Sequence, residues 1–342
     1  MKKILSLLAM IFLLVACGEK KGNENVLYLY GWADYIPKET YDQFEKETGI
    51  KVVEDIYSSN EEMFTKLKAG GKGYDIVVPS ADYVEIMMKE NMIEKLDKSK
   101  LPGLKNLDPM ALEKLQYFDP ENNYEVPYVM GATIIAVNKE HVKDYPRDYS
   151  IYNRSDLKGR MTLLDDMREV MTSSLGMLGY PQTVSDEKAI AEAADMVKGW
   201  KRNIAKFDSE SFGKGFASGD FWVVQGYPDN IFRELDEEER KNVDLIIPEK
   251  GGTAYVDSFV ILEDAPHKEA AYKFIEFILR PDVYAHIADV LETPSINVPA
   301  RDLMKVKPLF EISDLKNTQV LKDIHSTLDL QNKYWQEILI SK

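Results

Sequence analysis

From Val26 to Glu90 the hydrophobic pattern switches repeatedly between a period of two and a period near 3.6, and few folds accommodate that alternation. Val26 to Tyr30 alternates as a strand. Lys38 to Thr48 is amphipathic through Tyr41 and Phe44 and stops at Gly49, and Ile50 to Ile56 returns to strand character. Ser59-x-x-Glu62 is a capping-box pattern opening a helix that ends near Gly70; a strand over Tyr74 to Pro79 and a helix over Asp82 to Glu90 follow. Strand and helix in strict alternation predict an α/β architecture, a mostly parallel sheet covered by helices. In open sheets of that kind ligands sit beyond the carboxyl ends of the strands, where Trp32-Ala33-Asp34 and Ser80-Ala81-Asp82 both fall.

The first of these loops combines an aromatic, a carboxylate and a second aromatic. Trp32 and Tyr35 could flank an alkyl-ammonium with their π-faces while Asp34 accepts its N–H donors, each ring contributing roughly 0.5–2 kcal/mol. The same residues also suit a plainer role, with both rings anchored in the core and Asp34 capping the next helix.

Residues 1–17 stand apart from the fold. Lys2 and Lys3 precede an apolar run from Ile4 to Ala16, the charged and apolar regions of an export signal, too short for a membrane span. Leu14-Val15-Ala16-Cys17-Gly18 resembles a bacterial lipobox, which implies cleavage before Cys17 and acylation of its thiol. The polar stretch 18–25 reads as a tether, so the domain is expected to be extracytoplasmic and membrane-anchored through Cys17. Cys17 is the only cysteine, so the fold rests on its core rather than on an intrachain disulfide.

The chain carries 43 Lys+Arg against 58 Asp+Glu, a formal net charge of −15, and loss of Lys2 and Lys3 with the leader takes it to −17. That balance disfavours nucleic acid and favours a cationic ligand. His141, His267, His286 and His325 show no metal-ligand spacing, and neither a metal nor a cofactor is expected.

Several blocks in order carry a family resemblance: WADYIP at 32–37, the segment 47–84, MIEKLDKSKLPGLKNLDP at 92–109, YEVPYVMGAT at 124–133, LLDDMREV at 163–170, GGTAYVDSFVI at 251–261, and 274–303. Together they resemble bacterial spermidine/putrescine-binding proteins, the solute-binding components of polyamine ABC transporters. The resemblance spans nearly all of the chain after Cys17. It implies a two-lobed periplasmic-binding-protein-like fold of type II, each lobe a mixed sheet flanked by helices, with the ligand clamped in the interlobe cleft. The expected lobes are 26–131 plus 258–297, and 132–257 plus 298–342, with crossings over Thr133 to Val137 and Ala254 to Val260. A polyamine ligand and an ABC permease are the implied partners.

By the family's motif order, Trp32, Asp34 and Tyr35 match its first-loop aromatic, acid and aromatic, and Ser80 matches the serine after the second strand's proline. Asp82 stands where an aromatic is common; it either adds an acceptor for an ammonium or caps its helix. Asp166 and Glu169 match the ammonium-binding acids, although Asp-x-x-Glu is itself a capping box. Tyr227 falls at a tryptophan wall, and Asp229 lies near an acid of putrescine-preferring relatives. Tyr255 and Asp257 match an aromatic-x-acid motif with Tyr in place of Trp. Glu292 is expected to face the cleft, and Gln319 is the nearest candidate for the family's C-terminal glutamine.

Two other classes remain open at this level. A carboxylate pair such as Asp166 with Glu169, or Asp34 with Asp257, could serve a hydrolase of the glycosidase kind. No nucleophile elbow, HExxH, P-loop or Rossmann glycine pattern accompanies it, so the chain is expected not to be an enzyme. A cation-sensing or adhesive surface lipoprotein would share the acidic charge and the anchor, but the short Asp/Asn spacing of a calcium loop is absent.

Overall fold

The computed structural model describes residues 25–341; the leader, Cys17 and nearly all of the tether lie outside them. The chain opens with β1 (Val26–Trp32), α1 (Lys38–Thr48), β2 (Lys51–Tyr57), α2 (Asn60–Lys68), β3 (Ile76–Val77) and α3 (Ala81–Lys89). Local chemistry sets these boundaries. Gly49 takes a left-handed φ of 73° and returns its N–H to Glu45 O, ending α1. The Ser59 hydroxyl accepts from Glu62 N and starts α2, while the Glu62 side chain reaches back to Ser58 instead of completing the box.

After the short α4 (Pro109–Glu113), β4 (Val126–Ala132) and β5 (Ile134–Asn138) follow in immediate succession, and then β6 (Met161–Leu163), α5 (Met167–Met177), α6 (Glu187–Lys201) and β7 (Lys206–Phe207). Next come α7 (Phe212–Ala217), β8 (Val223–Gly226), α8 (Pro228–Phe232), α9 (Glu237–Arg240) and β9 (Val243–Ile246). The described chain closes with β10 (Thr253–Ile261), α10 (Lys268–Ile278), α11 (Pro281–Leu291), β11 (Gln319–Val320) and α12 (Leu328–Ile340).

These strands form two mixed sheets flanked by helices, one per lobe. In the first, β1 is parallel to β2 and β3, and β10 runs antiparallel to β3 and β4 and parallel to β11. The second has the order β7-β6-β8-β5-β9, with β5 antiparallel to both neighbours. A core including Leu29, Tyr30, Phe44, Val260 and Phe274 fills the first lobe; Tyr149, Tyr152 and Trp200 centre the core on the outer side of the second.

The crossings are narrower than the sequence implies. Ile134 to Val137 is a strand of the second sheet, so the outward passage reduces to Thr133, whose N–H donates to Thr253 O at 3.2 Å. Residues 247–252 make the return, and all of β10, including 253–257, lies in the first sheet.

The tail also departs from expectation. The sequence places residues 298–315 on the second lobe, but the turn Val298–Leu303 packs on α11, Arg301 pairs with Asp108, and Ile312 and Leu315 enter the core beside β4. Only α12 belongs to the second lobe, through Trp335 and Ile338. Between them the segment 318–323 straps the lobes together: Lys114 Nζ and Tyr117 Oη donate to Thr318 O and Leu321 O, and Gln182 Nε2 donates to Val320 O. Apolar side chains at 310, 312 and 315 decide this route, because each finds burial against the first lobe.

Candidate functional site

The site is built where the carboxyl ends of β1 and β3 meet the middle of β10. The register of β10 on β4 slips between Asp257 and Ser258, a bulge that leaves both residues buried and turns Asp257 toward the loop after β3. There Ser80 forms an isolated antiparallel bridge with Asp257. Ser80 Oγ donates to Asp257 Oδ1 at 2.6 Å, and Tyr35 Oη donates to Oδ2 at 2.5 Å. Asn60 holds Ser80 from behind, with Nδ2 donating to Ser80 Oγ at 3.0 Å and Oδ1 accepting from Ser80 N at 3.2 Å. Asp257 is 4% exposed. Burial pushes its carboxyl up to about 6 against the lowering effect of the two hydroxyls, and the Asp82 charge adds to the rise.

Aromatic residues wall this carboxylate. Trp32 Nε1 donates to Val78 O at 2.9 Å, and its ring meets Tyr57 edge-on at 4.6 Å, so the indole is fixed while still half-buried. Tyr227 and Tyr255 form a second edge-on pair at 6.0 Å and 78°. The Tyr255 ring lies over its cross-strand partner Gly131; a Cβ at 131 would sit 2.2 Å from the phenol oxygen. Only glycine leaves room for that ring. Burial raises the Tyr35 phenol well above its usual value, and Asp257, Tyr255 and Asp229 raise it further.

Across the cleft, Asp166 caps α5, its Oδ1 accepting from Glu169 N at 3.1 Å. Glu169 does not complete the box. Its Oε2 accepts from Thr253 Oγ1 at 2.5 Å, tying α5 to the first residue of β10. Burial, and then the Asp166 charge, push Glu169 up to about 7; burial raises Asp166 as well. Burial raises the Tyr227 phenol, with Glu169, Asp166, Tyr255 and Asp257 adding to it. Asp229, in the first turn of α8, is raised by partial desolvation although its side chain is 44% exposed, and has Arg233 at 3.6 Å.

Four sequence candidates are placed differently. Asp34 is exposed, in a left-handed turn at φ 57°, with no side-chain hydrogen bond among the described residues; it neighbours Glu54, whose carboxyl is raised by burial and further by Asp34. Asp82 neither stands free nor caps α3. Its Oδ2 accepts from Arg168 Nη1 at 3.3 Å, an ion pair between α3 and α5, and burial pushes its carboxyl up to about 6. Glu292 ends α11 at φ 51° and is bound by Arg240 Nη1 at 2.9 Å, a tie at the rim. Gln319 pairs through its backbone with Thr253 and donates N–H to Gly252 O.

Sequence reasoning missed Asn60, Thr253 and Arg168. The first two carried no local signal. Arg168 did, because a cation in the first turn of a helix opposes the helix dipole and calls for a nearby acid.

Two surface hollows, of about 400 and 330 Å³, lie away from this cleft; the charged residues lining them are Arg301, Lys305, Lys307 and Glu311 in one and Lys206, Lys214 and Asp220 in the other, net positive in both. Their lining has the wrong sign for an ammonium ligand. Among the described residues no group of three His, Cys, Asp or Glu is placed to hold a metal ion.

Residues 39–308 match the model of the bacterial extracellular solute-binding protein family. The chain belongs to that family. It is 37% identical over 326 residues to the spermidine/putrescine-binding periplasmic protein of Escherichia coli, 92% of each chain being covered. The putrescine-binding periplasmic protein PotF of the same organism is 35% identical over 90% of this chain and 87% of its own. Among solved structures, the TpPotD lipoprotein of Treponema pallidum superposes with a TM-score of 0.88 at 40% identity, covering 92% of this chain and 99% of its own. The PotD substrate-binding protein of a spermidine/putrescine ABC transporter from Streptococcus pneumoniae gives 0.83 at 27%, covering 93% and 99%.

Proposed function

We propose that this solute-binding protein captures a polyamine in the cleft between its lobes and presents it to the permease of an ABC transporter. The observation that carries this reading is Asp257: a buried carboxylate held by the neutral hydroxyls of Tyr35 and Ser80 and bordered by aromatic rings. A neutral donor set leaves its negative charge uncompensated, and an ammonium group supplies the compensation. Asp166 and Glu169 offer a second position of the same kind, and the rings of Trp32, Tyr227 and Tyr255 suit the methylenes between two such groups. Tyr35, Ser80 and Asp229 complete the site, and Asp34 joins the ligand only through closure of its loop.

A charge-assisted hydrogen bond contributes about 1.5–3 kcal/mol, and micromolar affinity needs about 8 kcal/mol net. Two ammonium groups with two bonds each and stacked methylenes reach that figure after ordering costs. The relatives' descriptions as polyamine-binding and the 40% identical neighbour's description as a lipoprotein support the reading, including acylation of Cys17 as the anchor. Capture occurs without turnover.

Thermal melting of the protein with putrescine, spermidine, amino acids and Ca²⁺ tests this. The polyamines are expected to raise the melting temperature by mass action while the competitors leave it unchanged. A shift with amino acids or Ca²⁺ alone, or release of a modified product on repeated turnover, would overturn it.

A further inference from the structure

Five carboxylates border the cleft, and they are not equivalent. Asp257 is satisfied by two hydroxyls, Asp166 by a backbone N–H and Glu169 by a threonine hydroxyl, while Asp229 meets Arg233 only at 3.6 Å, in a half-exposed contact. Asp82 differs: its partner is the largely buried guanidinium of Arg168.

That guanidinium is fixed from two directions. Nη1 donates to Asp82 on α3, and Nη2 donates to Lys322 O on the strap between the lobes. It stands in the first turn of α5, between Asp166 and Glu169 in sequence, where its charge acts on Asp82, Asp166 and Glu169 together. A first-turn cation opposes the helix dipole, so this placement depends on the surrounding acids. The acidic end of the cleft thus already contains one cation.

We infer that Arg168, held by Asp82, acts as a resident third cation and makes the site selective for a ligand with two ammonium groups. This deepens the polyamine reading and rests on it. A diamine such as putrescine places one ammonium at Asp257 with Asp229 and the other at Asp166 with Glu169. A triamine such as spermidine must either bring its third ammonium toward Arg168, against like charge, or leave it beside the exposed Asp34, where solvent screens the pairing; both weaken it relative to the diamine.

Calorimetric titration of the protein with putrescine and spermidine at neutral pH tests the inference. Putrescine is expected to bind at least tenfold tighter, a difference of about 1.4 kcal/mol. In the variant Arg168→Gln, Asp82 is freed to receive the third ammonium, and spermidine should gain at least tenfold relative to putrescine. Because that variant leaves a buried acid without its cation, the double variant Asp82→Asn/Arg168→Gln, which replaces the ion pair by two neutral amides, serves as the second test. Its preference for putrescine should fall by at least tenfold. Spermidine binding as tightly as putrescine to the unaltered protein would overturn the inference and leave the polyamine reading standing. A folded double variant with an unchanged preference would do the same. Binding of neither amine would remove both.

Discussion

The two walls of the cleft use the same residue types to different ends. On the first-lobe wall, a β-bulge delivers Asp257 to two neutral hydroxyls, and aromatic rings surround it. On the opposite wall, the first turn of α5 gathers Asp166 and Glu169 around Arg168, which pairs with Asp82. A carboxylate satisfied by hydroxyls keeps its charge available to a ligand, whereas one held by a largely buried guanidinium, as Asp82 is by Arg168, does not. Counting acids from the sequence therefore overstates the number of carboxylates without a cation; what matters is what each acid already holds.

If both walls offer ligand-facing acids whose protons are retained by burial, pH should act on both at once. In the folded protein Asp257 is raised to about 6 and Glu169 to about 7, above their unfolded values of about 3.9 and 4.3. The folded state then binds more protons than the unfolded one between about pH 4 and 7, so the ligand-free protein loses stability as pH rises through that window. An ammonium ligand favours the ionised forms and gains over the same range. Putrescine affinity should be about a hundredfold weaker at pH 5 than at pH 8, as read by titration at both values. Equal affinity at the two would mean that neither wall meets the ligand through a titrating acid.

The walls separate under mutation. Asp257→Asn keeps the shape and the hydroxyl partners but removes the charge, and should cost about 3 kcal/mol of putrescine affinity, near a hundredfold. Gly131→Ala tests the aromatic part of the same wall: its Cβ would displace the Tyr255 ring, lowering stability by about 1–3 kcal/mol in denaturant unfolding and weakening ligand binding with it. On the α5 wall, Glu169→Gln leaves Asp166 in place and should lose only about tenfold in affinity. Smallest of all, Glu292→Gln breaks the rim tie to Arg240, which is partly exposed, and should change stability by less than about 1 kcal/mol. If Glu169→Gln proved more damaging than Asp257→Asn, the order of the walls would be reversed.

The sequence made one kind of structure legible and concealed another. Alternating periods, the Gly49 stop, the Ser59 and Asp166 caps and the α/β class are local properties that a short window records, whereas the two lobes followed only from the family resemblance. The ion pair of Asp82 with Arg168 joins residues 86 positions apart, and that of Glu292 with Arg240 joins residues 52 apart; neither leaves a local pattern. Segment 298–315 was misplaced for the same reason, since its apolar residues would suit either lobe until a particular surface buries them. Asp257 was legible because its motif is compact. The bulge that aims it was not, because register slip depends on the facing strand as well as its own.

Proton exchange on binding tests the central claim most directly. Titration of putrescine into the protein at pH 6.5, repeated in two buffers of different ionisation enthalpy, counts the protons exchanged per ligand bound. Saturable binding with net proton release into the buffer is predicted, because the ammonium groups displace protons held by Asp257 and Glu169. Absence of heat at millimolar putrescine, or binding accompanied by proton uptake, would contradict the assignment of this cleft as a polyamine site.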